Sequence, residues 1–168
     1  MTAAMALMRA GSAEEGLRAG RFFVAPTQNL MLVDHETIAM KTIGAVPARH
    51  PDHETKGRMP SRGWIAANRW SAMIPVSQDP EFVSPAGGIL GNTNNKMVDR
   101  EFPFHISYVW GDTQRIKRWE RLMQIREVHT RDSFIEAQLD TVSFTARSLL
   151  PLIGADLWFT GEAAPEGT

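Results

Sequence analysis

The sequence predicts an α+β fold with one β-hairpin, an irregular middle and two antiparallel helices. Two apolar stretches on either side of the turn-forming residues DHET predict the hairpin over residues 28–43. Residues 70–103 consist of short apolar pieces between turn residues, which is typical of short extended segments. After residue 112, apolar side chains recur at helical spacing and predict the two helices.

The composition is that of an ordinary globular chain and excludes several classes of protein. Apolar residues make up 43% of the sequence, and a length of 168 residues is sufficient to bury a hydrophobic core. A net charge of −1 gives no general attraction to nucleic acid or to anionic membranes. The absence of cysteine excludes disulfides and thiolate metal sites, and it is compatible with both cytoplasm and periplasm.

The first third of the chain predicts a helix followed by the two strands of the hairpin. Residues 3–18 have a helical composition, and we expect the helix to end near Gly20. The segment FFVAPTQNLMLVD predicts a strand that Pro26 interrupts and that resumes over residues 28–34. After the turn, IAMKTIG alternates well enough to form the second strand.

Residues 44–69 predict a long irregular loop, because prolines, glycines and charges follow one another there without a period. His50, His53 and Glu54 resemble a cluster of metal ligands within this loop. Pro51 argues against a helix that would present them together, and no further histidine lies nearby to complete a zinc site. We therefore interpret the segment as an exposed polar loop.

Helical spacing after residue 112 predicts the first of the two C-terminal helices. Ile116, Trp119 and Met123 recur at this spacing, with Asp112 or Thr113 as the N-cap.

The second of these helices begins at Thr130, which is a good N-cap residue, and ends at Pro151. Its apolar stripe is formed by Ile135, Leu139, Val142, Ala146 and Leu149.

A basic run on the first of these helices contains Arg115, Lys117, Arg118 and Arg121. We interpret it as a solvated helix face. Arg115 is the exception, because a cation in the first turn opposes the helix macrodipole by about 0.3–1 kcal/mol. A residue placed against its local preference is a candidate for a function elsewhere.

The stretch GILGNTNNKM places three asparagines, Asn92, Asn94 and Asn95, within four positions. Turn chemistry explains them, because asparagine tolerates left-handed backbone and forms Asx turns. A side-chain amide that stabilises a developing oxyanion explains them as well. The residues alone leave both interpretations open.

Other catalytic patterns are missing from the sequence. No serine lies in a nucleophile elbow, and no glycine-rich phosphate loop follows a predicted strand. His35, His105 and His129 are isolated from one another, and we interpret each as a surface or core residue.

The stretch WSAMIPVSQDPEFVSPAGGILGNTNN resembles the β-subunit of the penicillin acylase (penicillin amidase) family. It has the family's tryptophan, apolar-apolar-proline step, acid-or-amide-proline step and Asn-x-Asn-Asn turn in order. Upstream, TIAMKTIGAVPAR is similar to the family strand that ends in Gly-Ala-x-Pro-x-Arg. Downstream, WGDTQRI is similar to the Trp-Gly-x-x-x-Arg step before a helix, so that the resemblance covers residues 22–153.

The resemblance implies an N-terminal nucleophile hydrolase, of which this chain would form part of the αββα sandwich. In that family a precursor cuts itself, and the serine at the new N-terminus attacks an amide carbonyl with its own α-amine as base. Asn94 corresponds to the asparagine that donates its amide to the oxyanion hole, and Arg115 to the arginine beside the nucleophile. Asn92 and Asn95 would then shape the turn.

The sequence also departs from the family pattern. Nothing in residues 1–168 matches the surroundings of the nucleophilic serine, and the backbone donor of the oxyanion hole is likewise expected upstream. The segment FPFHISYVWG lacks the aspartate of the family's calcium site, so we expect no metal and no cofactor.

We therefore expect an internal fragment of a β-subunit, with one incomplete domain over residues 1–160 and a flexible tail over residues 161–168. Its partners would be the remainder of the acylase chain, namely the α-subunit and the rest of the β-subunit, and an N-acyl substrate. That substrate is a β-lactam antibiotic, an acyl-homoserine lactone or another N-acyl amine, and the resemblance implies a periplasmic parent enzyme. Two alternatives remain, a non-enzymatic remnant and a chain in which Thr2 becomes the nucleophile after loss of Met1.

Overall fold

The computed structural model describes residues 1–111 and 113–157, with side chains up to residue 154. Helices and small antiparallel sheets both occur, which confirms the predicted α+β class. The chain divides into two compact units, one over residues 1–110 and one from residue 111 onward. The single domain over residues 1–160 stays a prediction, and the predicted tail lies outside the described residues. Over the described part, no helix has the length and apolar character needed to span a bilayer.

The first unit begins with two helices in place of the single helix predicted over residues 3–18. Helix α1 spans Thr2–Arg9 and helix α2 spans Ala13–Gly20. Between them, the Ser12 hydroxyl accepts a hydrogen bond from the backbone N–H of Glu15 at 3.2 Å. Serine competes for backbone donors in this way, so it starts a new helix more readily than it continues an old one.

The predicted hairpin is confirmed. Strand β1 spans Gln28–Val33 and strand β2 spans Ile38–Ile43, and the two pair in antiparallel register. The Asp34 carboxylate closes the turn by accepting from the backbone N–H groups of Glu36 at 2.9 Å and Thr37 at 2.8 Å. The part of the first strand expected before Pro26 is not formed.

The irregular middle contains only short elements. Strand β3 spans Pro47–Ala48 and pairs with β4, Ala72–Met73, while β5, Glu81–Val83, joins the free edge of β2. Single 3₁₀ turns lie at Ala66–Asn68 and Val76–Gln78. The prediction of short extended pieces between turns is confirmed.

Helix α2 packs on the hairpin through glycines. A Cβ atom on Gly16 would lie 2.7 Å from Leu32 Cδ1, and one on Gly20 would lie 2.8 Å from Ile43 Cγ2. The helix can therefore lie close to the sheet only because these positions carry no side chain. The buried apolar side chains of the hairpin are Ala39, Met40 and Ile43.

The interpretation of residues 44–69 as an exposed polar loop is wrong for His53. This side chain is only 6% exposed, its Nδ1 accepts from the backbone N–H of Thr55, and its ring lies edge-on to Phe102. An aromatic residue some fifty positions away covers the histidine, and local composition cannot show such a contact. Glu54 is ion-paired with Arg62.

The second unit begins with helix α3, Gln114–Gln124, as predicted. Met123 of the predicted apolar stripe is buried. Thr113 occupies the N-cap position but makes no side-chain cap hydrogen bond, and Asp112, the other predicted cap, lies outside the described residues.

A single helix that ends at Pro151 is wrong. Helix α4 spans Arg131–Gln138, helix α5 spans Phe144–Leu157, and Pro151 lies inside α5. The start is as predicted, because the Thr130 hydroxyl accepts from the backbone N–H of Ser133 at 3.2 Å and forms a capping box with it.

Two side chains explain the break. The Asp140 carboxylate accepts from the backbone N–H of Val142 at 3.2 Å, and the Ser143 hydroxyl accepts from that of Ala146 at 3.2 Å. Both bonds offer the backbone an alternative to helical hydrogen bonds. The predicted apolar stripe is consequently divided between α4, the linker and α5, and its member Leu139 is 73% exposed.

Candidate active site

Carboxamide side chains build the turn at residues 92–95. Asn92 Oδ1 accepts from the backbone N–H of Asn94 at 3.1 Å. Asn95 Oδ1 accepts from the backbone N–H of Thr93 at 3.0 Å and from Asn92 Nδ2 at 3.3 Å. Asn92 and Asn95 therefore shape the turn, as the sequence predicts.

The turn is tied to the β-hairpin by a chain of side-chain hydrogen bonds. Asn29 Nδ2 of β1 donates to Asn92 Oδ1 at 3.1 Å. Thr42 of β2, the cross-strand neighbour of Asn29, donates its hydroxyl to Asn29 Oδ1 at 3.0 Å. Because the hairpin is held by its own backbone ladder, this link fixes the turn against a regular element. Sequence reasoning missed Asn29, since no local pattern connects positions 63 residues apart.

Asn94 has left-handed backbone and an exposed side chain. Its φ angle is +67°, a conformation that asparagine adopts more readily than most residues. Its backbone N–H takes part in the turn through Asn92. The geometry thus accounts for an asparagine or a glycine at this position, and the role of the Asn94 carboxamide as an oxyanion donor stays a prediction.

Arg115 lies in the first turn of α3, as predicted, and its side chain is exposed. That turn contains no acidic residue to offset the unfavourable interaction between the Arg115 cation and the helix macrodipole. Arg115 also borders a cavity of about 380 Å³ within the second unit. This cavity, between α3 and the linker from α4 to α5, is lined by Gln114, Arg115, Arg118, Trp119, Leu122, Ala137, Asp140, Thr141, Val142, Ser143 and Phe144.

Arg118, on the wall of the same cavity, is part of a two-pronged ion pair with Asp140. Its Nε donates to Asp140 Oδ1 at 2.9 Å and its Nη2 donates to Asp140 Oδ2 at 2.5 Å. Both side chains are mostly buried, and the hydrogen bonds from Arg118 lower the pKa of Asp140. Lys117 and Arg121 are exposed, as the interpretation of a solvated helix face predicts. This interpretation is wrong for Arg118, because its partner Asp140 lies 22 residues away along the chain.

The predicted site residues fall in different units. Asn94 belongs to the first unit and Arg115 to the second. The expectation that these two side chains lie near one another therefore stays a prediction. Thr2 is the exposed first residue of α1, which differs from the buried strand that the resemblance implies for a nucleophile.

The described residues give no cluster of metal ligands. Nowhere in ranges 1–111 and 113–157 do three or more histidine or acidic side chains group as a metal site requires. His50 and Glu54 have separate contacts, His50 with Asp52 and Glu54 with Arg62. The expectation that this chain binds neither calcium nor another cofactor stays a prediction.

Comparison with known proteins gives a match along nearly the whole chain. The family model described as Penicillin amidase matches residues 1–166. The chain is 29% identical over 142 residues to the acyl-homoserine lactone acylase QuiP of Pseudomonas fluorescens, an alignment that covers 84% of this chain. It is 30% identical over 103 residues, or 58% of this chain, to the penicillin acylase 2 proenzyme of a Pseudomonas species.

These alignments cover only a small part of the relatives. The chain spans 17% of the length of the first relative and 13% of the length of the second. Both relatives are named as acylases, and the family is named as an amidase.

Proposed function

Because this chain belongs to the penicillin amidase family, we propose that its residues form part of the catalytic site of an enzyme that hydrolyses an N-acyl amine. In this proposal the nucleophile is an N-terminal serine that lies outside residues 1–168. Its hydroxyl adds to the amide carbonyl while its α-amine takes up the proton. The protonated α-amine then gives this proton to the leaving amine as the C–N bond breaks, and water hydrolyses the remaining acyl-enzyme ester to release the acid. The remaining chain of the enzyme supplies that serine and the second oxyanion donor.

One observation carries the role of Asn94, namely the fixed turn around it. The side chains of Asn92 and Asn95 hold the turn, and Asn29 ties it to the hairpin. A donor in an oxyanion hole is effective when it is positioned before charge develops, because no reorganisation is then required in the transition state. Asn94 would donate its Nδ2–H to the oxyanion of the tetrahedral intermediate.

Arg115 has the supporting role in the proposal. Arg118, its neighbour on the cavity wall, donates from Nε and Nη2, one edge of its guanidinium, to the two carboxylate oxygens of Asp140 and thereby holds α3 to the linker before α5. We therefore assign Arg118 a structural role in the cavity wall. Arg115 would orient polar groups beside the nucleophile through its planar set of donors.

The family also suggests the architecture and the substrate class. The hairpin and the flanking helices would belong to the αββα sandwich of an N-terminal nucleophile hydrolase assembled from α- and β-subunits. One relative is named as a proenzyme, which supports a processed chain. The two relatives are named for acyl-homoserine lactones and for penicillin, so the substrate is one of these or another N-acyl amine.

The test is hydrolysis by the full-length enzyme. Phenylacetyl and long-chain acyl amides are offered, and the released acid and amine are identified by mass spectrometry. Blocking the α-amine of the processed subunit should abolish turnover. Turnover that survives this block would contradict the proposed mechanism, and an absence of hydrolysis for all N-acyl amines would favour a non-enzymatic remnant.

A further inference from the structure

The first unit contains a cavity that the proposed catalytic role does not use. Its volume is about 450 Å³, within the range of small-molecule sites. Two arginines line it, and its lining includes no acidic side chain. The lining residues are Arg49, Gly57, Arg58, His105, Ile106, Ser107, Tyr108 and Val109.

Three residues that line this cavity each have a polar side-chain atom that is buried without a hydrogen-bond partner. These atoms are Arg49 Nη1, His105 Nδ1 and the hydroxyl oxygen of Tyr108, and none bonds to any residue in the described ranges. His105 as a whole is only 4% exposed. Arg49 and Arg58 also take part in none of the ion pairs between described residues. Buried donors without partners are rare in folded proteins, so this group indicates a missing acceptor.

The donors are held in place by ring stacking and close packing. The ring centroids of His105 and Tyr108 lie 4.1 Å apart in a stacked arrangement. The Arg58 guanidinium lies 4.3 Å from the centroid of the Tyr108 ring. Gly57 has a φ angle of +79°, and a Cβ there would lie 2.9 Å from Arg49 Nε. Glycine thus lets the Arg49 side chain lie against the loop backbone.

The electrostatics of the cavity favour an anion. Burial, and then the charges of Arg49 and Arg58, lower the pKa of His105. Those same arginines would attract a negative group that enters the cavity. A neutral imidazole still carries one N–H, which it can place on Nδ1 to face an acceptor.

We propose that this cavity binds the carboxylate of a small organic acid, with Arg49 as the charged donor and His105 and Tyr108 as neutral donors. The planar guanidinium matches the two oxygens of a carboxylate, and bonds of this kind are among the stronger ones in proteins. The site does not depend on the catalytic role of Asn94, so it can exist whether or not the proposed reaction occurs.

The test is anion binding to the full-length protein. Acetate and phenylacetate are titrated by calorimetry, and thermal melting is followed in parallel, with chloride, phosphate and sulfate compared at the same ionic strength. The proteins are first treated with a serine-directed covalent inhibitor, so that binding at the nucleophile is not counted. We expect saturable binding of the carboxylates and a higher melting temperature in their presence.

Variants locate the binding. Arg49→Gln should weaken carboxylate binding about 10- to 100-fold, because it removes a charged hydrogen-bond donor. Tyr108→Phe removes one oxygen atom with little change in shape, and it should weaken binding several-fold even where Arg49→Gln folds poorly. The control is Arg62→Gln, an exposed arginine of the same loop that does not line the cavity.

Three results would overturn the proposal. The first is an absence of saturable carboxylate binding by the inhibitor-treated protein without substitutions. An acidic side chain of the protein itself that fills the cavity would give this result too. The second is equal stabilisation by phosphate, sulfate and carboxylates. The third is unchanged affinity in both Arg49→Gln and Tyr108→Phe.

Discussion

Replacing Asn94 by glycine separates catalysis from turn stability. Glycine adopts a φ angle of +67° without strain and keeps the backbone N–H that bonds to Asn92 Oδ1. The free energy of unfolding should therefore change by about 0.5 kcal/mol or less. The side-chain amide is lost, and kcat should fall about 100- to 1000-fold, as for other side-chain oxyanion donors. Asn94→Ala should lower kcat equally but add backbone strain.

Asn95→Ala is the matched comparison from the same turn. It removes the acceptor of the Thr93 N–H at 3.0 Å and of Asn92 Nδ2 at 3.3 Å. Each bond is partly exposed to solvent, so each contributes near the low end of the usual range, and the loss should be about 1 kcal/mol in total. Asn92→Ala should likewise act through the turn. The folded fraction of either variant keeps the Asn94 amide, so it should lose far less activity than Asn94→Gly.

The assay pairs two measurements on the intact enzyme, steady-state hydrolysis of a chromogenic N-acyl amide and unfolding in urea. The reasoning predicts a large loss of kcat with little loss of stability for Asn94→Gly, and the reverse for Asn95→Ala. Equal losses of activity and equal losses of stability in the two variants would refute it and leave turn formation as the whole explanation.

Three further predictions concern other parts of the chain. Arg115→Lys should reduce kcat of the intact enzyme, because an ammonium group cannot reproduce a planar set of donors, and full activity would exclude the supporting role. Gly44→Ala should cost about 1–3 kcal/mol in urea unfolding, since its φ angle is +121° and the new Cβ would lie 2.8 Å from a backbone carbon. Gly87→Ala, with open space around it, should cost less, and equal costs would contradict the strain argument. The hydrogen bonds from Arg118 depress the pKa of Asp140, so the stability they contribute is fully present above the ordinary value of 3.8 and is lost as pH falls through the lower folded value. Acid unfolding followed by circular dichroism should show this loss for the unmodified chain but not for Asp140→Asn, and identical curves would contradict it.

Local signals in the sequence were sufficient for several elements. The turn residues between two apolar stretches gave the hairpin, with Asp34 as its closing residue. Thr130 starts a helix as expected, because a capping box needs only neighbouring residues. Helical spacing alone predicts that Arg115 lies in a first turn, and it does.

The remaining features depend on contacts between distant positions. Asp140 ends a helical pattern at a place where Arg118, from another helix, binds it. His53 is buried because Phe102 lies beside it, and the turn at Asn92 is fixed because Asn29 reaches it. Hydrophobic periodicity and secondary-structure propensity depend on residues that are neighbours along the chain, so they cannot predict contacts between such distant residues. The second cavity, with its unpartnered donors, likewise combines three separate segments.

The most direct test of the central claim is a crystal structure of the intact enzyme with its serine covalently modified by a sulfonyl fluoride, whose oxygens occupy the place of the oxyanion. The account predicts that Asn94 Nδ2 lies about 2.7–3.1 Å from one of these oxygens, with Arg115 beside the modified serine. An Asn94 amide that points to solvent, far from both the sulfonyl group and Arg115, would contradict the catalytic assignment of both residues.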